Sequence, residues 1–211
     1  MLCLSGAVIA NRRQKDCCIS SPFSFRNQVH FMDEIYLKIP TEEDQDAVWA
    51  FRQELLDAGQ SFDGCSGLNR QPTYEDWLAL VRRFPDPASC PVGKVPSTTY
   101  LGIRKSDGCL VGIIDLRHHI DHPTLSLWGG HIGYSVRPSQ QRKGYAKQML
   151  RLNLKNAQKL GLTRVMITCY AGNIASERTI CACGGQYEKT VMAEGQQIKR
   201  YWIELEGSPC L

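Results

Sequence analysis

Residues 141–146 read Gln-Arg-Lys-Gly-Tyr-Ala, two cations followed by a glycine and, two positions on, an alanine. A helical pattern begins at this point, with Ala146, Leu150, Leu154 and Ala157 at helical spacing and Met149 and Leu160 beside them. The first turn of a helix leaves amide N–H groups without partners and carries the positive end of the macrodipole. A glycine lets an anion approach those amides closely, and Arg142 and Lys143 add charge. The chemistry such a joint suits is the holding of a diphosphate. It is neither the nucleotide loop G-x-x-x-x-G-K-[ST] nor the dinucleotide fingerprint G-x-G-x-x-G. On these residues alone, an ordinary helix start with a basic, solvated turn reads the same way.

The elements around the joint narrow the choice. Residues 132–136, Ile-Gly-Tyr-Ser-Val, are β-branched and aromatic and predict a strand. Pro138 ends it, because proline cannot donate to a ladder and restricts the residue before it. Gly161 stands where the following helix needs a residue free to take positive φ. A second β-rich run, residues 164–170, is followed by Asn173-Ile-Ala-Ser176 and a short helical segment that ends at Gly184-Gly185.

Gln141-x-x-Gly144-x-Ala146 after Tyr134-Ser135-Val136 resembles the pyrophosphate loop of the GNAT superfamily, the acyl-CoA-dependent N-acyltransferases. The likeness runs over roughly residues 34–205. It is closest to a bacterial group of predicted acetyltransferases carrying GGHIGYSVRP and RKGYA almost as they stand here. The resemblance implies an α/β fold of the α+β type: a mixed, mostly antiparallel sheet with helices on both faces. Its strands 132–136 and 163–170 would splay apart around acetyl-CoA. The backbone of Tyr134, Ser135 and Val136 would pair with the pantetheine arm. Gln141, Arg142, Lys143, Gly144, Tyr145 and Ala146 would hold the diphosphate, and Asn173 and Ser176 would reach the arm from the far side. Gly133 fits a bulge or a close approach.

The reaction implied is attack of a primary amine on the thioester. A lysine-like amine titrates near 10, so its proton must first be removed. The strand position where many relatives carry glutamate is His131, a residue suited to that task. Its other reading is a strand histidine packed on Trp128 or capping a backbone group. The usual general acid, a tyrosine seven residues after the motif asparagine, falls on Ile180, which cannot serve. Tyr170 and Tyr187 lie near in sequence but not at that position. Protonation of the thiolate then falls to another group or to solvent. A non-catalytic acyl-CoA sensor with the same fold is the alternative this departure leaves, and a nucleotide-phosphate binder is a third. Asp115, Arg117 and His118 are the expected acceptor-side residues, and Asp63 and Asn69 lie in a loop that could also meet substrate.

The remainder of the 211-residue chain reads as one domain. Hydrophobic content of 43% and charged content of 22% are those of an ordinary globular protein. A net charge of +4 suits an anionic cofactor and is too small to argue for nucleic acid. No apolar run approaches the roughly 18 residues a membrane helix needs. Ten cysteines form no C-x-x-C pair and predict reduced, mostly buried thiols in the cytoplasm. His118, His119 and His122 lack a metal-binding spacing, so no metal is expected. Residues 1–31 read as a poorly ordered extension, 32–206 as the domain and 207–211 as a short tail. The expected partner is a small-molecule or peptide amine, with no membrane, and a homodimer is left open.

Overall fold

The computed structural model describes residues 33–205. The expected extension and tail lie outside the described residues. One antiparallel sheet places β1 (Ile35–Lys38), β2 (Ser97–Arg104), β3 (Leu110–Arg117) and β4 (Ile132–Val136) side by side in that order. In the other, β7 (Gln196–Glu204) lies between β5 (Arg164–Tyr170) and β6 (Gln186–Ala193), again antiparallel. No ladder joins β4 to β5, so the expected splay lies between the two sheets.

Helices cover both faces. Strand side chains alternate, and one set of β2 and β3 residues (Leu101, Ile103, Ile113) packs against α1 (Gln45–Asp57) and α2 (Tyr74–Arg83). Phe51 and Leu55 of α1 and Trp77 and Leu78 of α2 fill that core. On the other face Val111, Ile114 and Leu116 meet Met149, Leu150 and Ala157 of α3 (Tyr145–Lys159). Ile180 of α4 (Ile174–Cys181) is fully buried in the same cluster.

Local chemistry sets the helix starts. Thr73 caps α2 by accepting the Asp76 N–H at 3.1 Å. Thr41 opens a short 3₁₀ turn, Glu42–Asp44, and α1 follows from Gln45. The reason is Asp44, whose Oδ2 takes both the Thr41 N–H (2.8 Å) and the Thr41 hydroxyl (3.0 Å), closing the box one turn early.

The α3 face is keyed to the sheet by Met149. Its side chain occupies the space left where the paired residues Gly102 and Gly112 carry none, and an added Cβ on Gly112 would stand 2.7 Å from Met149 Cε. This contact seats the helix whose start forms the anion joint. Met149→Ala should destabilise the protein by about 2–5 kcal/mol, the usual cost of a fully buried methionine truncation. Denaturant unfolding measures it, and a loss well under 1 kcal/mol would show that the contact does not hold α3.

Candidate functional site

A cleft of about 1040 Å³ lies between β4 and β5. Its lining includes Gln141, Arg142, Gly144 and Ala146 with Asn173 and Ser176 at the turn after β4, Arg117, Trp128 and Gly129 toward the start of β4, and Asp63 and Gly64 from the loop that packs on β4. Tyr134, Val136, Thr168, Cys169 and Tyr170 form its walls.

The anion joint takes a shape its residues do not prefer. Arg142 has φ +61° and Gly144 φ +82°, so a left-handed arginine and a left-handed glycine flank Lys143. Glycine takes this conformation without penalty, whereas an arginine there is strained, and such strain collects at ligand-binding turns. Among the described residues, the N–H groups of residues 142–146 meet no protein acceptor. These orphan donors at a helix N-terminus are what a diphosphate would satisfy.

The side chains divide the labour differently from the sequence expectation. Gln141 Nε2 donates to Gln60 Oε1 (2.7 Å) and to the Val136 carbonyl (3.2 Å), which ties the turn to its neighbours. Lys143 Nζ donates to the Ser139 carbonyl (3.2 Å) and Gln140 Oε1 (3.0 Å). Tyr145 is buried, and its hydroxyl takes a bond from Arg104 at 3.1 Å. These three brace the loop. Arg142 is exposed and makes no hydrogen bond or ion pair within the described residues. Asn173 caps α4 by accepting the Ser176 N–H at 3.0 Å, and the Ser176 hydroxyl meets that of Tyr134 at 3.0 Å. Burial pushes the Tyr134 phenol up to about 12.

On the opposite side of β4 runs the loop between α1 and α2. The Ser135 hydroxyl donates to the carbonyls of Asp63 (2.8 Å) and Ser61 (3.3 Å). Gly133 and Gly64 pack backbone to backbone: a Cβ on Gly133 would lie 2.9 Å from the Gly64 nitrogen. The close approach expected at Gly133 is therefore to this loop, and Ser135 contributes a side chain to it as well as backbone to the cleft.

His131 sits just before β4, buried, at the apex of the splay. Its N–H donates to the Met166 carbonyl at 2.7 Å, and the Met166 N–H donates to its Nδ1 at 2.9 Å. Nδ1 is thus the acceptor nitrogen, and the neutral ring carries its proton on Nε2. Burial is the main reason its pKa falls to about 4. The ring packs edge-on to Trp202, 6.3 Å between centroids, and not on Trp128. It does not line the cleft. A ring whose lone pair is engaged by a backbone amide is poorly placed to take a proton from substrate. The geometry supports the capping role and not the general base.

Of the three acceptor-side candidates, Asp115 and Arg117 are brought together and His118 is not. Asp115 is buried with Thr99, which donates to it at 3.2 Å, and with Ser66 at 3.5 Å. Burial raises its pKa, against the pull of Arg117. Arg117 lines the cleft, but its Nη1 donates to the carbonyls of Gly129 and Gly130, both at 2.9 Å, and its Nε lies 3.8 Å from Asp115. His118 faces the other way. Its Nε2 meets Thr98 Oγ1 at 2.9 Å beside a smaller cavity of about 220 Å³ next to the end of α3. Thr168 is a lining residue that sequence reasoning passed over, and Trp128 and Tyr170 entered it only in other roles, the one as packing for His131 and the other in the search for a general acid. The Thr168 hydroxyl donates to the Trp128 carbonyl at 2.6 Å. Among the described residues no cluster of His, Cys, Asp or Glu could hold a metal ion, and no helix is long and apolar enough to cross a membrane.

The sequence profile of the Acetyltransferase (GNAT) domain matches residues 19–186. The chain belongs to the GNAT acetyltransferases. Among curated proteins none matches the sequence. Solved structures share the fold. A Vibrio cholerae protein provisionally assigned as a ribosomal-protein-serine acetyltransferase is 19% identical, with TM-score 0.58, over 81% of this chain and 94% of that one. The microcin C7 self-immunity acetyltransferase MccE, solved with acetyl-CoA and AMP, is 17% identical, with TM-score 0.59, over 82% and 93%. A chimera of the Vibrio cholerae spermidine N-acetyltransferase SpeG with hSSAT is 15% identical, with TM-score 0.56, over 82% and 96%. Membership makes this protein an acyl-CoA-dependent acetyltransferase, and the orphan amides and the splay are the features of this chain that fit acetyl-CoA.

Two measurements test this geometry. Gly144→Val places a β-branched residue at φ +82° and should weaken acetyl-CoA binding at least tenfold, about 1.4 kcal/mol, in calorimetry; unchanged affinity would remove the joint from the cofactor site. For His131 the sign follows from linkage. Its folded pKa of about 4 lies below the usual histidine value, so the unfolded chain binds the proton first on acidification. Its share of stability is full above about pH 6.5 and is lost as pH falls toward 4, by about 3 kcal/mol in all. Melting scans over that window should show a shallower acid slope in His131→Gln than in wild type, and equal slopes would contradict the capping role.

Proposed function

We propose that this GNAT acetyltransferase moves the acetyl group of acetyl-CoA onto a primary amine by direct attack. The observation that carries the reading is the opposite character of two parts of one cleft. The turn at residues 142–146 offers orphan amides and the Arg142 cation, whereas the loop packed on β4 presents the Asp63 carboxylate. Acetyl-CoA lies with its diphosphate on the turn and its pantetheine arm along the unpaired edge of β4. The thioester then comes near the apex, where β4 and β5 converge at His131 and Met166.

The amine enters from the side of the cleft lined by Asp63 and the aromatic residues Trp128 and Tyr170. It sheds its proton to water before attack, the nitrogen bonds to the acyl carbon and passes its second proton to water, and the C–S bond breaks as the tetrahedral centre collapses to the amide. The thiolate takes its proton from water, because Ile180, in the usual tyrosine's place, is fully buried in the core. The spermidine N-acetyltransferase among the structural neighbours supports an amine acceptor. The six described cysteines are all unpaired, which supports a reducing, cytoplasmic setting.

The test is release of free CoA from acetyl-CoA over a panel of primary amines. The expected result is release that rises with amine and with pH, as more of the amine becomes neutral. Binding of acetyl-CoA with no amine-dependent release across the panel would overturn transfer to an amine.

A further inference from the structure

The acceptor end of the cleft holds its charges unequally. Arg117 is committed: two backbone carbonyls and the buried Asp115 surround its guanidinium. Asp63 is not. One of its oxygens, Oδ2, takes the Ser61 hydroxyl at 2.7 Å, and no cation pairs with it among the described residues. Of the residues lining the cleft, it is the one carboxylate. Its place relative to the cofactor strand is fixed twice, by the Ser135 bond to its carbonyl and by the contact of Gly64 with Gly133. Across the cleft the Tyr170 phenol is pushed up by burial and then by the negative charges of Asp63 and Glu194. Trp128 and Tyr170 add aromatic surface to the lining of the same cleft. Aromatic faces and a carboxylate together are a setting for an organic cation.

A carboxylate is a weaker base than an alkylamine by about six pKa units, so it serves poorly as the proton acceptor and well as a counter-ion. We infer that Asp63 is a specificity-determining residue that holds a second, non-reacting cationic group of the acceptor, which makes the substrate class diamine-like cations rather than amino acids. The inference rests on the amine-transfer reading above. An acceptor with a carboxylate at its far end would meet Asp63 as a like charge and be rejected.

Three amines of one chain length separate these cases: 1,4-diaminobutane, 4-aminobutan-1-ol and 4-aminobutyrate. In the full-length protein, CoA release should give the diamine at least a tenfold advantage in kcat/KM over the alcohol and a larger one over the acid. Asp63→Asn, close in shape, should shrink the diamine's advantage to within about threefold, through KM more than kcat, while calorimetric affinity for acetyl-CoA and melting stay as in wild type. Added salt should narrow the wild-type gap and leave the variant's unchanged. A diamine no better than the alcohol or the acid, or a preference retained by Asp63→Asn, would overturn the inference. Where none of the three is turned over, titration of the diamine into the protein–CoA complex decides: binding lost in Asp63→Asn supports it, and no binding overturns it. Failure of wild type to bind acetyl-CoA is a separate outcome that would overturn the transfer reading itself.

Discussion

Two strands that lie edge to edge will complete their hydrogen bonds unless something stops them, because an unpaired backbone group away from water is costly. In this protein the pairing of β4 with β5 stops at His131. The backbone gives one bond to Met166, and the imidazole, not the next carbonyl, accepts the return bond. The ring closes the ladder with a side chain and sends the two strands into different sheets. Everything functional follows from that separation: a free β4 edge, a cleft with two walls, and an apex where a thioester can be presented.

The clasp would be idle if β4 could drift. It is held from behind by the loop after α1, through the glycine pair 64 and 133 and the Ser135 hydroxyl. It is held at its far end by Arg137, whose guanidinium pairs with Glu54 of α1 at 2.5 Å. The helix that presents the anion joint is fixed separately, by Met149 between two glycines of the sheet. The strand β4, the loop after α1 and the turn at 141–146 are thus held in one frame. Such a frame would suit the proposed direct attack, in which two bound molecules must meet within a narrow range of distance and angle.

The strands at 132–136 and 164–170, the helix that follows the first of them and the joint at 141–146 were legible because their signals are local. A β-branched run, a glycine at a helix end and a glycine after cations can all be read along the chain. What eluded the sequence lies across space. Alternation places His131 and Ser135 on one face of a strand, but it does not say that Met166 or the Asp63 carbonyl stands opposite. Asp115, Arg117 and His118 are consecutive or nearly so, and read as one group; the pleat sends His118 to the α3 face and leaves Asp115 beneath Arg117. Gln141 and Lys143 fit a cofactor motif by type, yet their side chains stitch the turn, and the strain visible at Arg142 is a matter of φ that no residue name announces.

The buried pair beneath the cleft explains why its charge is distributed as it is. Asp115 has no exposure to water worth the name, and a carboxylate there is tolerable only with Thr99, Ser66 and Arg117 turned toward it. The same arginine is spent again on the carbonyls of Gly129 and Gly130, which lead into the clasp. A cation so fully engaged offers little to a ligand. Asp63 is left as the uncommitted carboxylate of the lining, while Arg142 and the amides of the turn keep their part of it positive. In the reading proposed above, a long molecule with phosphates at one end enters such a cleft in one direction only, and a cationic acceptor approaches from the side of Asp63.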